Sequence, residues 1–522
     1  MAYPTLDEIR QQQDSEKAVR ADGRKPLLPI CCDILADMET PVSAYCKIAA
    51  CPYSFLLESV VGGEHIARYS FIGIKPYLVM KHDGDSVSLY RPSDGEGMIG
   101  EIQCSDPLTF IEEELEQYYL VKPFGIEHDS LPSFHGGAVG YLAYETAARF
   151  EHLPVPEKDA LGLPLSIFCF TETVLVFDHL KHRIRIVTHL HLDAPDLKEE
   201  YGRVLAIIED IQQRLHQTPQ LPEEPVINNG ILAPEITSNR TQGEFESMIC
   251  KAQEYIREGD IFQVVLSQRL SRHVDAAPFT IYRALRSINP SPYMFFLDLQ
   301  DMHIIGASPE LLVRVEDRVV TIHPIAGTRR RDEDPQRDQQ LAEELKKDPK
   351  ERAEHVMLVD LGRNDVGRVS IPGSVEVSQF MEIERYSHVM HLVSNVTGQL
   401  RPELSSYDAL RAGFPAGTVS GAPKIRAMEI ISELEGEQRG IYAGAVGYFS
   451  HSGNLDTAIT LRTMVLRNGQ AYIQAGGGIV ADSNPSEEYQ ESLNKAKALV
   501  RALDEAEQIS KERRETYAVI NR

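Results

Sequence analysis

Two glutamate pairs are the first residues whose spacing could do chemistry. Glu351 and Glu354 lie in KERAEHVMLVDLGRND, and Glu488 and Glu491 in DSNPSEEYQESLNKAKALV. Each pair is spaced i, i+3, which puts both carboxylates on one helical face. Asp348-Pro349 opens the first helix. Asn484 before Pro485, with Glu487 three residues on, opens the second, and Lys495 sits one turn beyond Glu491. Two such helices can hold a hard cation such as Mg²⁺, which takes oxygen ligands and keeps waters or substrate oxygens. Glu-x-x-Glu also serves as a plain solvated face, so either pair alone carries little.

Four other features add to the pairs. In HVMHLVSNVTG, alternation places Val389, His391 and Val393 on one side of a strand. A histidine there is an acid/base candidate or a hydrogen-bonded core residue. In QAGGGIVADSNP, Gly476, Gly477 and Gly478 fall between a strand and a helix. Their N–H groups could face an anion, or they could make a tight turn. They do not form a dinucleotide fingerprint. PIAGTRRR carries Gly327, Thr328 and three arginines, and could equally be a solvated basic turn. Arg462 reads as an interior residue of the apolar strand AITLRTMVL, where a buried guanidinium needs an anion.

FPAGTVSGAPKIRAM lacks phosphate-loop spacing, because Lys424 does not follow Gly421 directly and no Ser or Thr follows it. Thr418 on a glycine-flanked turn and Pro423 as a first helical residue are the safer readings. No Gly-x-Ser-x-Gly, His-Glu-x-x-His or Cys-His glutaminase signature occurs. Taken together, the carboxylates, glycines, arginine and histidine describe a Mg²⁺ site for a small, carboxylate-bearing substrate.

The elements that must hold these residues fall into two textures. From about Leu27 to Val187 short strands dominate, with helices predicted at Pro107–Tyr119 and Leu197–Gln217. HQTPQLPEEPVINNG, residues 216–230, holds three prolines and sparse apolar residues, and predicts a linker. Beyond it, helices are predicted at Thr241–Glu258, Ala276–Ser287, Asp334–Leu361, Ala422–Leu434 and Pro485–Leu503. Strands are predicted at Ile261–Leu270, Val389–Val396, Ala443–Phe449, Ile459–Leu466 and Gln470–Ala475. The last fifteen residues are expected to fray. Mixed runs, rather than strict alternation, favour α+β.

Composition narrows the partners. The 522 residues hold 53 Lys+Arg against 78 Asp+Glu, a net charge of −25, so nucleic acid and anionic membrane surfaces are poor partners. No apolar run approaches the ~18 residues of a membrane helix. The seven cysteines are scattered without a Cys-x-x-Cys, which argues against disulfides and zinc. MAYPTLDEIRQQQDSEK lacks the apolar core of a secretory signal, so a cytoplasmic location is expected.

The motifs IGASPELL, HPIAGTRRR, AEHVMLVDLGRND, SHVMHLVS, GTVSGAPK, AGAVGY and AGGGIV, in this order, resemble the chorismate-utilising enzyme family. The resemblance is dense over residues 240–500 and reaches the N-terminal half through LLESVVGGEHIARYSFIG. It implies a layered αββα sandwich, with an N-terminal regulatory portion over 1–230 and a chorismate-binding catalytic portion over 231–522. It implies the branch that combines chorismate with ammonia to give anthranilate and pyruvate.

By the resemblance, Glu354 and Glu491 match Mg²⁺ ligands, with Glu351 and Glu488 beside them. Gly327, Thr328, Tyr442, Arg462, Gly476, Gly477, Gly478 and Lys495 match substrate-binding positions. Glu310 matches the acid that protonates the departing C4 hydroxyl, and His391 and Thr418 match residues near the chemistry. Gln263 stands where water-adding members, the isochorismate and salicylate synthases, carry a lysine. Ala326 stands where the aminodeoxychorismate synthase large subunit carries one. Both positions favour anthranilate.

Leu56, Leu57, Glu58 and Ser59, with Pro292, Tyr293 and Met294, match a tryptophan feedback pocket. The chain ends at Arg522 without a glutaminase signature, so a separate glutamine amidotransferase subunit, in a hetero-oligomer, is expected. The aminodeoxychorismate branch and a non-catalytic tryptophan-sensing homologue are the rival expectations.

Overall fold

The computed structural model describes residues 2–17, 23–49, 51–60, 68–95, 97–123, 131–221, 235–386 and 389–520. Two large sheets organise them. In a 13-stranded sheet twelve strands follow the order Thr237–Ser238, Gln263–His273, Gln470–Ile479, Thr463–Arg467, His303–Ser308, Tyr293–Asp298, Ser54–Glu58, Tyr69–Gly73, Val174–Asp178, Arg183–His191, Lys25–Leu35 and Tyr118–Leu120, and the thirteenth, Gly421–Ala422, pairs Gln263–His273 off this path. In a 12-stranded sheet eleven strands run Ile325–Arg330, Val389–Gln399, Val319–Ile322, Leu311–Glu316, Leu455–Ile459, Ala445–Ser450, Gly137–Leu142, Ser166–Thr171, Leu78–Asp83, Ser86–Tyr90 and Met98–Gln103, and the twelfth, Glu376–Arg385, pairs Val389–Gln399 off this path. Both halves of the chain contribute to both sheets, joined where Tyr293–Asp298 pairs Ser54–Glu58 and Ala445–Ser450 pairs Gly137–Leu142.

Three apolar clusters define the layers. One lies between the sheets and is built from Phe55, Phe71 and Phe295 of one and Val139, Ile167 and Val446 of the other. A second packs helices Pro41–Ile48, Leu197–Leu215, Pro278–Ile288 and Pro485–Ile520 on the 13-stranded sheet. A third includes helices Pro107–Glu116, Pro349–Val369, Ser406–Gly413 and Lys424–Glu435. This is the α+β, two-sheet sandwich, with helices outside and apolar strand faces within.

Local chemistry explains the element boundaries. Thr241 caps Gln242–Glu258 with a full capping box to Glu244, and Asp348 caps Pro349–Val369 through the N–H groups of Lys350 and Glu351. Asn484 accepts from the N–H of Ser486 at 3.0 Å, as its place before Pro485 predicts.

Several expectations need correction. The stretch predicted as one helix over Asp334–Leu361 is two, Pro335–Lys347 and Pro349–Val369. Asp348 ends one and caps the next, and Pro349 cannot continue the ladder. Pro423 is the residue before Lys424–Glu435, not its first helical residue. Where a frayed tail is expected from residue 508, the helix that starts at Pro485 continues to Ile520, and residues 521–522 lie outside the described residues; Leu499, Leu503 and Ala506 bury into the cluster shared with Pro278–Ile288 just before that stretch. Within the predicted linker, residues 222–230 lie outside the described residues, and 216–221 follow the end of Leu197–Leu215.

Two corrections bear on the site. Arg462 is not inside a strand. It stands between Leu455–Ile459 of one sheet and Thr463–Arg467 of the other, at φ +47°, where the chain crosses the gap between the sheets. Gly476, Gly477 and Gly478 are not a turn either. They are strand residues opposite Ser267, Leu266 and Val265. A Cβ on Gly476 would lie 2.2 Å from the Leu266 carbonyl oxygen, and one on Gly478 as close to Gln263 Nε2, so close approach explains glycine there.

Candidate active site

The crossover at Arg462 opens the sheet and creates the site. Thr463–Arg467 pairs Gln470–Ile479 only from Met464↔Ile473 to Arg467↔Gln470. Beyond that, residues 474–479 pair on one side alone among the described residues, with Gln263–His273. Their other edge carries no strand partner among the described residues. Lys495 takes the Gly476 carbonyl from that region at 3.0 Å.

Glu310 immediately precedes the strand Leu311–Glu316 and is 7 % exposed. Burial pushes its carboxyl up to about 8, against the pull of a hydrogen bond from Thr418 and the nearby charge of Arg462. The Thr418 hydroxyl, in the turn Gly417–Val419, donates to Glu310 Oε1 at 2.9 Å. Glu310 therefore holds a proton near neutral pH. Burial also lowers the Arg462 guanidinium, with Glu310 opposing that shift.

His391 is buried on the strand Val389–Gln399. Its Nδ1 lies 3.1 Å from the Gly327 carbonyl oxygen and 3.1 Å from Thr328 Oγ1. A carbonyl only accepts, so Nδ1 carries the hydrogen and Nε2 keeps its lone pair. Burial lowers this imidazole below its usual value, so it is neutral at physiological pH.

The carboxylate pairs lie at glycines of the two sheets, Glu488 and Glu491 at Gly477 and Glu351 at Gly327. A Cβ on Gly477 would lie 3.0 Å from Glu488 Oε2 and 4.0 Å from both Glu491 Oε1 and Lys495 Nζ, while one on Gly327 would meet Glu351 Oε2 at 3.0 Å. Burial first, then the neighbouring Glu351, raises Glu354, and burial, then Glu491, raises Glu488. Lys350 and Lys495 act on both Glu354 and Glu488, so the two helix starts share one electrostatic field. Each carboxylate also has a partner in the chain. Glu351 accepts from Arg329 at 2.9 Å, Glu488 from Ser483 at 2.7 Å, Glu491 pairs Lys495 at 2.8 Å, and Glu354 accepts from Gln263.

Among the described residues no group of three metal-ligating side chains stands ready to hold an ion. The donor set is nonetheless all oxygen and partly desolvated, and the space a Cβ would fill at Gly477 faces it. That chemistry fits a hard cation that keeps water or substrate oxygens in its shell.

Sequence reasoning missed the tether beneath these residues. Arg439 is 1 % exposed. Its guanidinium donates to the Val419 carbonyl at 2.8 Å, the Val265 carbonyl at 2.7 Å and Glu435 at 2.7 Å. It also lies 5.6 Å from the Tyr442 ring centroid. One buried cation thus fixes the Thr418 turn, the strand opposite Gly478 and Tyr442. No hydrogen bond joins Tyr442 itself to the other candidates among the described residues. Only the i, i+4 spacing of Glu435 and Arg439 is local; the other partners, the Val419 and Val265 carbonyls, are far away in the chain and no spacing announces them.

A second site lies between the sheets. Leu57, Glu58, Ser59, Pro292, Tyr293 and Met294 all line one cavity of about 160 Å³. Met294 pairs Glu58 directly across the sheet. The opposite wall brings Arg314, which donates to Asp456 at 2.9 Å and to the Tyr293 hydroxyl at 3.0 Å. Glu58 is held by Arg286 at 3.0 Å and by the Tyr282 hydroxyl. Tyr282 and Arg286 share a face of Pro278–Ile288 at i, i+4, a spacing the sequence did carry. Ser59 Oγ is buried with no hydrogen-bond partner among the described residues.

The chain matches the chorismate binding enzyme family over residues 73–501, and it belongs to that family. It is 47% identical over 512 residues to anthranilate synthase component 1 of Acetivibrio thermocellus, covering 98% of this chain and 100% of the relative. It is 47% identical over 487 residues to the same component of Pseudomonas putida, covering 92% and 96%. The crystal structure of anthranilate synthase component I from Streptococcus pneumoniae TIGR4 aligns with a TM-score of 0.70 at 40% identity, covering 89% of this chain and 98% of that one. MenF, the menaquinone-specific isochorismate synthase of Escherichia coli, shares the fold with a TM-score of 0.67 at 18% identity, covering 95% and 100%. No helix among the described residues is long and apolar enough to cross a membrane.

Proposed function

We propose that the chain is the chorismate-binding large subunit of an anthranilate synthase, converting chorismate and ammonia to anthranilate, pyruvate and water. Identity to enzymes of that name over nearly the whole chain supports the reading. The structural observation that carries the choice of ammonia over water is Gln263. Its amide nitrogen is directed to Glu354, and its Oε1 is buried with no partner among the described residues. A carboxamide cannot take a proton from water, but its free oxygen can accept a hydrogen bond from an amine nucleophile.

The remaining roles follow from protonation and position. Glu310 carries the proton that the C4 hydroxyl needs to leave as water, and the Thr418 hydroxyl orients it. Arg462 and the open edge at 476–478 offer positive charge and N–H donors to substrate carboxylates. Gly327 and Thr328 fix the imidazole of His391 with Nε2 open. Lys495 and the arginine-held Glu351 frame the ring-carboxylate end. Glu354 and Glu491, with Glu351 and Glu488 beside them, would hold Mg²⁺, which would supply Lewis-acid stabilisation of the ring carboxylate.

The cavity lined by Ser59 and Tyr293 is read as a tryptophan feedback site. The rings of Phe71, Phe295 and Tyr448 and the unpaired Ser59 hydroxyl suit an aromatic amino acid. Residues 1–230 then form the regulatory portion and 231–522 the catalytic one. Ammonia would come from glutamine through a separate amidotransferase subunit in the cytoplasm.

The test is isotopic. Chorismate, Mg²⁺ and ¹⁵N-ammonium are incubated with the protein and the products are weighed by mass spectrometry. Labelled anthranilate is expected. Isochorismate or salicylate, without nitrogen, would overturn the reading of Gln263.

A further inference from the structure

The Tyr386 ring packs against the His391 imidazole, and Glu384 holds the Tyr386 hydroxyl. The strand Glu376–Arg385 runs antiparallel to Val389–Gln399, and its register sets Glu384 opposite His391. Tyr386 follows at the end of that strand. Its ring meets the His391 imidazole edge to face, with centroids 5.4 Å apart and planes at 67°. The Tyr386 hydroxyl donates to Glu384 Oε2 at 2.9 Å. The other oxygen, Glu384 Oε1, lies 3.6 Å from His323 Nε2. Tyr386 is also close enough to Glu310 and Arg462 to interact with their charges.

The imidazole is therefore gripped twice. The Gly327 carbonyl and the Thr328 hydroxyl fix Nδ1, while the Tyr386 ring fixes the tilt of its plane. A tyrosine ring alone could slide along its neighbour. An anchored hydroxyl removes that freedom, because a charge-assisted hydrogen bond holds the far end of the ring. A phenylalanine would fill the same apolar space without the anchor.

We infer that Glu384 and Tyr386 are a positioning pair for His391: Glu384 anchors the Tyr386 hydroxyl, and the anchored ring sets the direction in which Nε2 of His391 faces the substrate. This rests on the reading that His391 serves the chorismate reaction. The charged groups around the imidazole are Glu384, which favours the protonated ring, and Arg462, which disfavours it. His323 faces Glu384 from the other side, and Arg314 acts on His323 in turn.

Three variants separate positioning from packing. Tyr386→Phe keeps the ring and loses the anchor. It is expected to lower kcat about tenfold or more at nearly unchanged KM for chorismate, with the thermal melt of wild type. Glu384→Gln keeps an acceptor for the hydroxyl but removes the charge. It is expected to recover most of kcat while moving the acid limb of the pH profile to lower pH, since the carboxylate favours imidazolium. Glu384→Ala loses both and is expected to match Tyr386→Phe in rate.

A Tyr386→Phe variant with wild-type kcat, or a Glu384→Gln variant with an unmoved acid limb, would overturn the inference. If wild-type protein makes no anthranilate at all, the functional reading fails, and the pair is judged without turnover. The His391 imidazole signals in ¹⁵N-histidine spectra, assigned by their loss in His391→Gln, are expected to titrate at lower pH in Glu384→Gln. Unmoved titration there would overturn the positioning pair on its own.

Discussion

Removing the Thr418 hydroxyl tests the assignment of Glu310 as the acid. In the folded protein burial raises Glu310 to about 8, while the Thr418 hydrogen bond at 2.9 Å and the charge of Arg462 hold it down. Thr418→Val keeps the branched shape and deletes the donor. A hydrogen bond to a charged group contributes about 1.5–3 kcal/mol, and one pKa unit is about 1.4 kcal/mol, so the carboxyl should rise by about 1–2 units. The sign is fixed, because the lost bond favoured the carboxylate.

A general acid works only while protonated, so kcat/KM for chorismate falls as pH rises through the Glu310 value. In wild type that fall is expected near 8. In Thr418→Val it should move to about 9–10, and Thr418→Ser, which restores a donor, should return it. The assay is anthranilate fluorescence with free ammonia held constant at every pH, so the nucleophile's own ionisation does not enter. A basic limb that stays put in Thr418→Val, or moves down, would refute both the acid role and the reading of the Thr418 contact.

Three further outcomes follow from the geometry. Glu354→Ala or Glu491→Ala should abolish Mg²⁺-dependent turnover with an unchanged far-UV spectrum, and near-normal rates in either variant would remove it from the metal set. Ser59→Phe, which pushes a ring into the cavity of about 160 Å³, should relieve tryptophan inhibition while the uninhibited rate stays close to wild type; inhibition of unchanged strength would take Ser59 out of the pocket. The third concerns acid. His135 and His189 are hydrogen-bonded partners at 3.3 Å, with the His451 ring 5.5 Å from His189. Burial lowers them to about 4, about 3 and well below the usual value respectively. The unfolded chain binds more protons below about 6.5, so each of these histidines should cost up to about 1.4 kcal/mol of stability per pH unit as pH falls from there toward 4. Urea midpoints measured across that range should drop, and a flat profile would contradict the buried, neutral cluster.

The parts of this molecule that were legible in the sequence are those that local chemistry decides. Thr241, Asp348 and Asn484 marked helix starts because capping is a matter of neighbouring residues. Leu57–Ser59 and Pro292–Met294 were placed together by resemblance, and one cavity unites them. What was not legible depended on distant partners. Arg462 looked like a strand residue because its neighbours are apolar, yet those neighbours belong to two different sheets. Gly476–Gly478 read either as N–H groups facing an anion or as a tight turn, because they fall between a strand and a helix, whereas they are strand residues that clear room for Gln263 and Glu488. The last fifteen residues looked frayed because their sequence is charged, yet the helix continues to Ile520, with Arg272 paired to Asp504 and Glu507 just before that stretch and Arg514 donating to the Asp275 carbonyl. Arg439 gave only its i, i+4 spacing to Glu435, since its other partners are the distant carbonyls of Val419 and Val265.

The most direct test of the central claim is one reaction. Purified protein is mixed with chorismate, Mg²⁺ and an ammonium salt at alkaline pH, with and without tryptophan, and anthranilate fluorescence is followed. The account predicts a signal that requires Mg²⁺ and ammonium and falls when tryptophan is added. Consumption of chorismate without anthranilate would contradict it, and would turn attention first to Gln263 and Ala326.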